Sequence, residues 1–359
     1  MALSLSDTAL GAATAGPTDA TALVHLGRRR RTRRRGIALG SLVAVLLVLM
    51  GACVMLGNTI YPVDDVIRVI LGEKVAGASF TVGSLRIPRM ITGVLAGIAF
   101  GVAGTTFQTM LRNPLASPDV IGITSGASAA AVLSLVILHW SVGATTAFAL
   151  IAGIVTAALI YIAARGGEST GGRLILIGIG IGAMLDAVVA YLIQRASDAD
   201  ISTAMRWLTG SLNGSKWDNL PPLALAAAVL LPLILLLSRE LRALELGDAS
   251  ARALGVRVDR TRLLLIVAAV ALACFATATT GPIAFVAFLA GPIAARIVGP
   301  GTTLTIPAAL TGAILVLAAD LIGQFAFDIS FPVGVITGVL GAPYLLYLLI
   351  RTNRSGGSS

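Results

Sequence analysis

The chain has 359 residues, 57% apolar and only 12% charged, with a mean hydropathy of +0.93. A soluble domain carries about a quarter charged residues, so the composition excludes a soluble globular protein and describes a polytopic membrane protein. The formal charge of +9 does not point to nucleic acid, because seven arginines between Arg28 and Arg35 sit directly before the first apolar run, as a cytoplasmic flank on an anionic membrane surface does.

In chain order, residues 1–36 are small, polar and basic without apolar periodicity, and are expected to form a disordered cytoplasmic tail. The run Ile37 to Leu56 is longer than the core of a signal peptide and reads as a spanning helix. Further apolar runs lie near 89–111, 119–139, 142–164, 173–194, 219–238, 261–280, 283–299, 305–326 and 333–350, making ten spans. Segments 62–72 and 202–212 read as short interfacial helices outside. A membrane body over residues 37–351 and a C-terminal tail over 352–359 follow. The expected fold is all-α and integral to the membrane, with about ten transmembrane helices in two five-helix halves related by an inverted repeat. With the basic tail inside, inner regions hold 19 of the 26 Arg and Lys residues. That bias predicts both termini in the cytoplasm.

The most informative stretch is Arg86 to Ser128. Arg86 and Arg89 flank Pro88, and an uncharged run from Met90 to Leu111 follows. Gly93, Gly97, Gly101 and Gly104 leave one face of that helix nearly bare, which lets another helix approach closely in lipid. Arg112-Asn113-Pro114 and Pro118 then break the helix and start a second apolar run after Asp119, so the stretch reads as a membrane hairpin with a tight polar turn.

Cys53 and Cys274 fall in apolar runs far apart and read as packing residues. With two Cys and two His, His25 and His139, no cluster exists to ligate a bare transition metal; a metal cargo would have to be a chelate. Asp186 and Asp320 are ionisable groups inside spans, which makes them functional candidates or inter-helix hydrogen-bonding groups in equal measure. No GxxxxGK[ST] loop occurs and Lys74 and Lys216 are the only lysines, so ATP is not bound by that route.

The pattern RxPR…G…GxxxQ…RNPLAxPxxxGxxxGA resembles the signature of the permeases of bacterial iron-siderophore and cobalamin ABC importers, the FecCD type. It is carried by Arg86, Pro88, Arg89, Gly101, Gln108, Arg112 to Ala116, Pro118, Gly122, Gly126 and Ala127. The cytoplasmic segment Leu246-Gly247-Asp248, Ala251 and Leu254-Gly255 is similar to the family's LGDxxAxxLG coupling helix, which docks into the ATPase. Gly247, Ala251 and Gly255 recur at four-residue spacing, so on a helix they would share a face that permits close approach. Trp207, Gly210-Ser211-Leu212 and Trp217, then Gly281 to Val286, and finally Pro332 to Thr337 continue the likeness, over about residues 40–351. Two departures stand out: Pro292-Ile293 where the family often has Pro-His, and Gln324 where many members have an arginine that helps receive the binding protein.

The resemblance implies a non-enzymatic permease subunit in the bacterial cytoplasmic (inner) membrane, translocating an iron(III)-siderophore by alternating access. It implies a second permease copy or paralogue, two separate ATPases that hold ATP-Mg, an external siderophore-binding protein, and no cofactor on this chain. Arg86 and Arg89 are expected to dock the binding protein; Gln108, Asn113, Pro114, Asp186, Asp320 and Gln324 are pathway or packing candidates. A same-family permease for cobalamin or haem, or an ion-coupled secondary transporter, are the alternatives.

Overall fold

The computed structural model describes residues 17–119, 121–164, 170–299 and 303–356. Among them are fourteen α-helices and no strand. The first half holds α1 (Pro17–Met55), α2 (Val63–Ile70), α3 (Ile87–Met110), α4 (Ile123–Val136), α5 (Val142–Ala164), α6 (Thr170–Gln194) and α7 (Asp198–Leu208). The second holds α8 (Leu220–Leu236), α9 (Ser238–Glu245), α10 (Asp248–Ala253), α11 (Val258–Thr280), α12 (Val286–Val298), α13 (Thr305–Phe325) and α14 (Val333–Gly356). Seven helical segments are long and apolar enough to cross a membrane, in α1, α3, α5, α6, α8, α11 and α13. Three shorter apolar segments, α4, α12 and Val333–Tyr347 of α14, complete the ten.

The boundaries differ from the sequence reading in informative places. Instead of a structureless tail through residue 36, α1 begins at Pro17 and runs for 39 residues, because arginine is a good helix former and an adjoining span supplies a nucleus. Residues 1–16 lie outside the described residues, as does Arg165; α14 likewise continues past 351 to Gly356. The outer helix expected at 202–212 starts at Asp198, where Ser197 Oγ accepts the Asp200 N–H as an N-cap, and ends before Gly210, whose φ is +66°.

α3 is the hub. It packs against α8, α11, α12 and α13, and most of its residues from Ala96 to Gln108 are buried. Its glycine face works as the spacing predicts: a side chain at Gly97 would run into the backbone of Gly312 and Ala313, and one at Gly104 into the backbone of Ala287. The two contacts lie on α13 and α12, so one helix holds two neighbours at backbone distance.

The contacts are largely symmetric under exchange of the halves. If α1, α3, α4, α5 and α6 correspond to α8, α11, α12, α13 and α14, then α3 packing on α12 and α13 is matched by α11 packing on α4 and α5. The pairs α4–α5, α4–α6 and α5–α6 are matched by α12–α13, α12–α14 and α13–α14. An odd number of spans per half reverses the chain direction between them, which makes the repeat inverted. Each half also breaks after its central helix: α4 follows Gly122 at φ +79° and α12 follows Phe285 at φ +63°. At 14 and 13 residues these helices are about 20 Å long against a hydrocarbon core of about 30 Å. The segments before them therefore dip into the protein, where irregular backbone is tolerated.

Replacing Gly104 by Leu is expected to force α3 and α12 apart and to cost at least about 1–3 kcal/mol. A thermal unfolding series in detergent should show a lowered Tm, with Gly143→Leu, where space is open, unchanged.

Candidate functional site

At one end of α3, Arg89 makes a bidentate pair with Asp320 of α13: Nε donates to Oδ2 at 2.9 Å and a terminal nitrogen to Oδ1 at 2.7 Å. Its other terminal nitrogen donates to Asn213 Oδ1 at 2.6 Å, and Gln324 Nε2 donates to Asp320 Oδ2 at 2.8 Å. Asp320 is 3% exposed, and the fork geometry of guanidinium on carboxylate is what makes such a charge tolerable there. Arg86 donates to the carbonyls of Val54 and Met55, both at 2.9 Å, and of Thr59 at 2.7 Å. The first two are end carbonyls of α1, which lack helical partners and carry the negative end of its dipole.

Both arginines expected to dock the binding protein are thus already engaged within the chain. Asp320, placed in span α13, neutralises Arg89, and the open end of α1 occupies Arg86. Gln324, where the family often has arginine, is here a donor to the same carboxylate. The Gly210-Ser211-Leu212 motif lies beside this cluster and joins three distant segments: Ser211 N–H donates to Thr280 C=O at 2.7 Å, and Gly334 N–H to Gly210 C=O at 3.1 Å.

At the other end of α3 the polar turn is tied in place. Gln108 Nε2 donates to Pro114 C=O at 3.1 Å and to Phe288 C=O of α12 at 2.9 Å. Asn113 Oδ1 accepts the Leu115 N–H at 2.9 Å, a side-chain turn typical of Asn. Gln108, Asn113 and Pro114 thus hold the turn together. Arg112, at φ +51°, reaches the segment 246–255: its guanidinium lies 3.5 Å from where a side chain at Gly247 would begin.

Within that segment the expected shared helix face is absent. The helix α10 has only six residues, and Gly247 and Gly255 lie outside it at φ +96° and +84°, a conformation that ends helices. Ala251 is fully buried, while Leu246 and Leu254 are each 65% exposed. Asp248 receives a 2.8 Å bond from Arg262. Nearby in α9, burial pushes the Glu245 carboxyl above the usual carboxylate range. Asp186 is apart from both ends, exposed on α6.

Residues 44–351 match the FecCD transport family. The chain belongs to that family. Among FecCD relatives, it is 41% identical over 322 residues to the ferric enterobactin transport system permease protein FepG of Escherichia coli K12, covering 87% of this chain and 97% of that protein. It is 40% identical over 316 residues to the achromobactin transport system permease protein CbrC of Dickeya dadantii, covering 86% and 90%. Its fold matches a solved inward-facing metal-chelate type ABC transporter with a TM-score of 0.76 and 25% identity, over 87% of this chain and 98% of that one. As a FecCD protein, the chain is a multi-pass membrane permease subunit of an ABC importer and not itself an enzyme.

Removing Arg89 leaves the Asp320 carboxylate, 3% exposed, as an uncompensated buried charge, which costs about 3–5 kcal/mol. Arg89→Leu should therefore lower the Tm markedly in detergent, and Arg89→Leu with Asp320→Leu should recover most of the loss.

Proposed function

We propose that the chain is one of two permease subunits of a binding-protein-dependent importer that carries an iron(III)-siderophore across the bacterial cytoplasmic membrane. The observation that carries this reading is the full-length likeness to FepG. Two separate ATPase subunits supply the energy, and an external siderophore-binding protein delivers the cargo. The arginine bias favours both termini in the cytoplasm, which puts the Arg89 cluster outside and the 246–255 segment inside.

In this orientation the inner apolar contacts for an ATPase are Leu246 and Leu254, the exposed apolar residues at the two ends of α10. Ala251 and the two glycines shape the segment. Movement of the ATPases is passed to Arg112 through its contact with Gly247, then through the Gln108 bonds to α3 and α12. Arg206 and Lys216, both exposed, are the outer cations best placed to meet carboxylates of a binding protein. An ionised Asp186 facing lipid would be costly, so the exposed face of α6 is assigned to the aqueous pathway shared with the second permease subunit.

In a deletion strain, the reintroduced gene should restore uptake of labelled ferric chelates and not of labelled cobalamin, and ATP depletion should abolish it. Uptake of cobalamin alone, or uptake persisting without ATP, would overturn the reading. Leu246→Asp with Leu254→Asp should lose ATPase co-purification and transport while keeping the Tm. Ala251→Trp should instead lower the Tm, because it overpacks the permease itself.

A further inference from the structure

A cleft of about 440 Å³ lies between α1 and the end of α12, lined by Arg33, Arg34, Ile37, Ala38, Ser41 and Ile297. None of these residues takes part in the outer cluster, the turn or the 246–255 segment. The cleft is chemically two-ended. At one end stand two guanidinium groups, Arg34 reaching across so that its Cζ would lie 3.1 Å from a side chain at Gly299. Among the described residues no ion pair involves Arg33 or Arg34, and the sequence holds no Asp or Glu from Thr21 to Val63. The other end is apolar and opens onto a strip of α1. Ile37, Ser41, Ala44 and Val48 follow each other at helical spacing and are all exposed. The strip extends about 16 Å from Ile37 to Val48 at 1.5 Å per residue, well into the hydrocarbon depth.

We propose that this cleft binds an anionic phospholipid, with its phosphate held by Arg33 and Arg34 and one acyl chain lying along Ile37, Ser41, Ala44 and Val48. Guanidinium forks suit phosphate oxygens, and basic pockets beside spanning helices select anionic headgroups. A free inorganic anion would use the arginines but gain nothing from the apolar strip. A soluble protein partner would leave the strip's membrane depth unexplained. The lipid satisfies both ends at once and bridges α1 to α12, which belong to opposite halves of the fold.

The full chain, purified with mild detergent and exchanged into nanodiscs of mixed phosphatidylglycerol and phosphatidylcholine, tests this by native mass spectrometry. The expected result is one retained phosphatidylglycerol per chain, preferred over phosphatidylcholine by about thirty-fold for two arginine contacts. Arg33→Gln with Arg34→Gln should abolish the preference. Arg28→Gln with Arg31→Gln removes the same charge outside the cleft and should retain it. Ser41→Trp, which fills the strip without changing charge, should also lose the bound lipid. Equal loss in both arginine pairs would reduce the effect to general surface attraction and overturn the proposal. So would displacement of the lipid by inorganic phosphate at equal ionic strength, or occupation of the cleft by a second copy of this chain, detected as a dimer that Ser41→Trp dissolves.

Discussion

Everything in this fold depends on how closely α3 can approach its neighbours. Lipid gives no hydrophobic reward for bringing two apolar helices together, so association rests on van der Waals contact and on polar groups. Glycines facing α12 and α13 maximise that contact by removing the side chains that would hold the backbones apart. Such a contact is also shape-specific: the neighbouring faces carry Gly312, Ala308 and Ala287, which are small in turn. The hub is therefore stiff along its length and has its polar fastenings at its two ends.

Those fastenings are of different kinds. The fastening at the Arg89 end is electrostatic: a guanidinium, a carboxylate and two amides, drawn from α3, α13 and the loop after α7. The fastening at the Gln108 end is mostly backbone recognition: Gln108 reads two carbonyls, and Asn113 imitates a turn. An ionic cluster built on a buried carboxylate holds one geometry firmly, because any displacement leaves that charge without its partner. Amide-to-carbonyl bonds can be exchanged for others at small cost. Rigidity at one end of α3 and adaptability at the other suit a subunit driven from one face.

Much of the architecture was legible in the sequence because it is local. Apolar run length marks spans, glycine spacing marks a close-packed face, and Arg112-Asn113-Pro114 marks a turn. What stayed hidden was tertiary. Arg89 and Asp320 are separated by 231 positions, and only the rule that a buried charge needs a counter-charge hints at their pairing. Spacing suggested that Gly247, Ala251 and Gly255 share a face; two of the three instead adopt left-handed backbone, which glycine permits without announcing. The coupling role of 246–255 rests on resemblance, while the burial of Ala251 and exposure of Leu246 and Leu254 came only from the structure. The helical stretch before residue 37 is not visible in composition alone, because it extends from the span that adjoins it.

The way Arg86 closes the end of α1 bears on how the protein is made. As the chain emerges from the ribosome, α1 enters the bilayer some thirty residues before its capping guanidinium exists. Until then the Val54 carbonyl must rely on water or headgroups, and the Met55 carbonyl has only the Tyr61 N–H. The first span is thus a provisional insertion, made definitive when the entry to α3 crosses and Arg86 arrives. Biogenesis of the opening hairpin is in this sense completed in two stages, the second sealed by a side chain from its second arm.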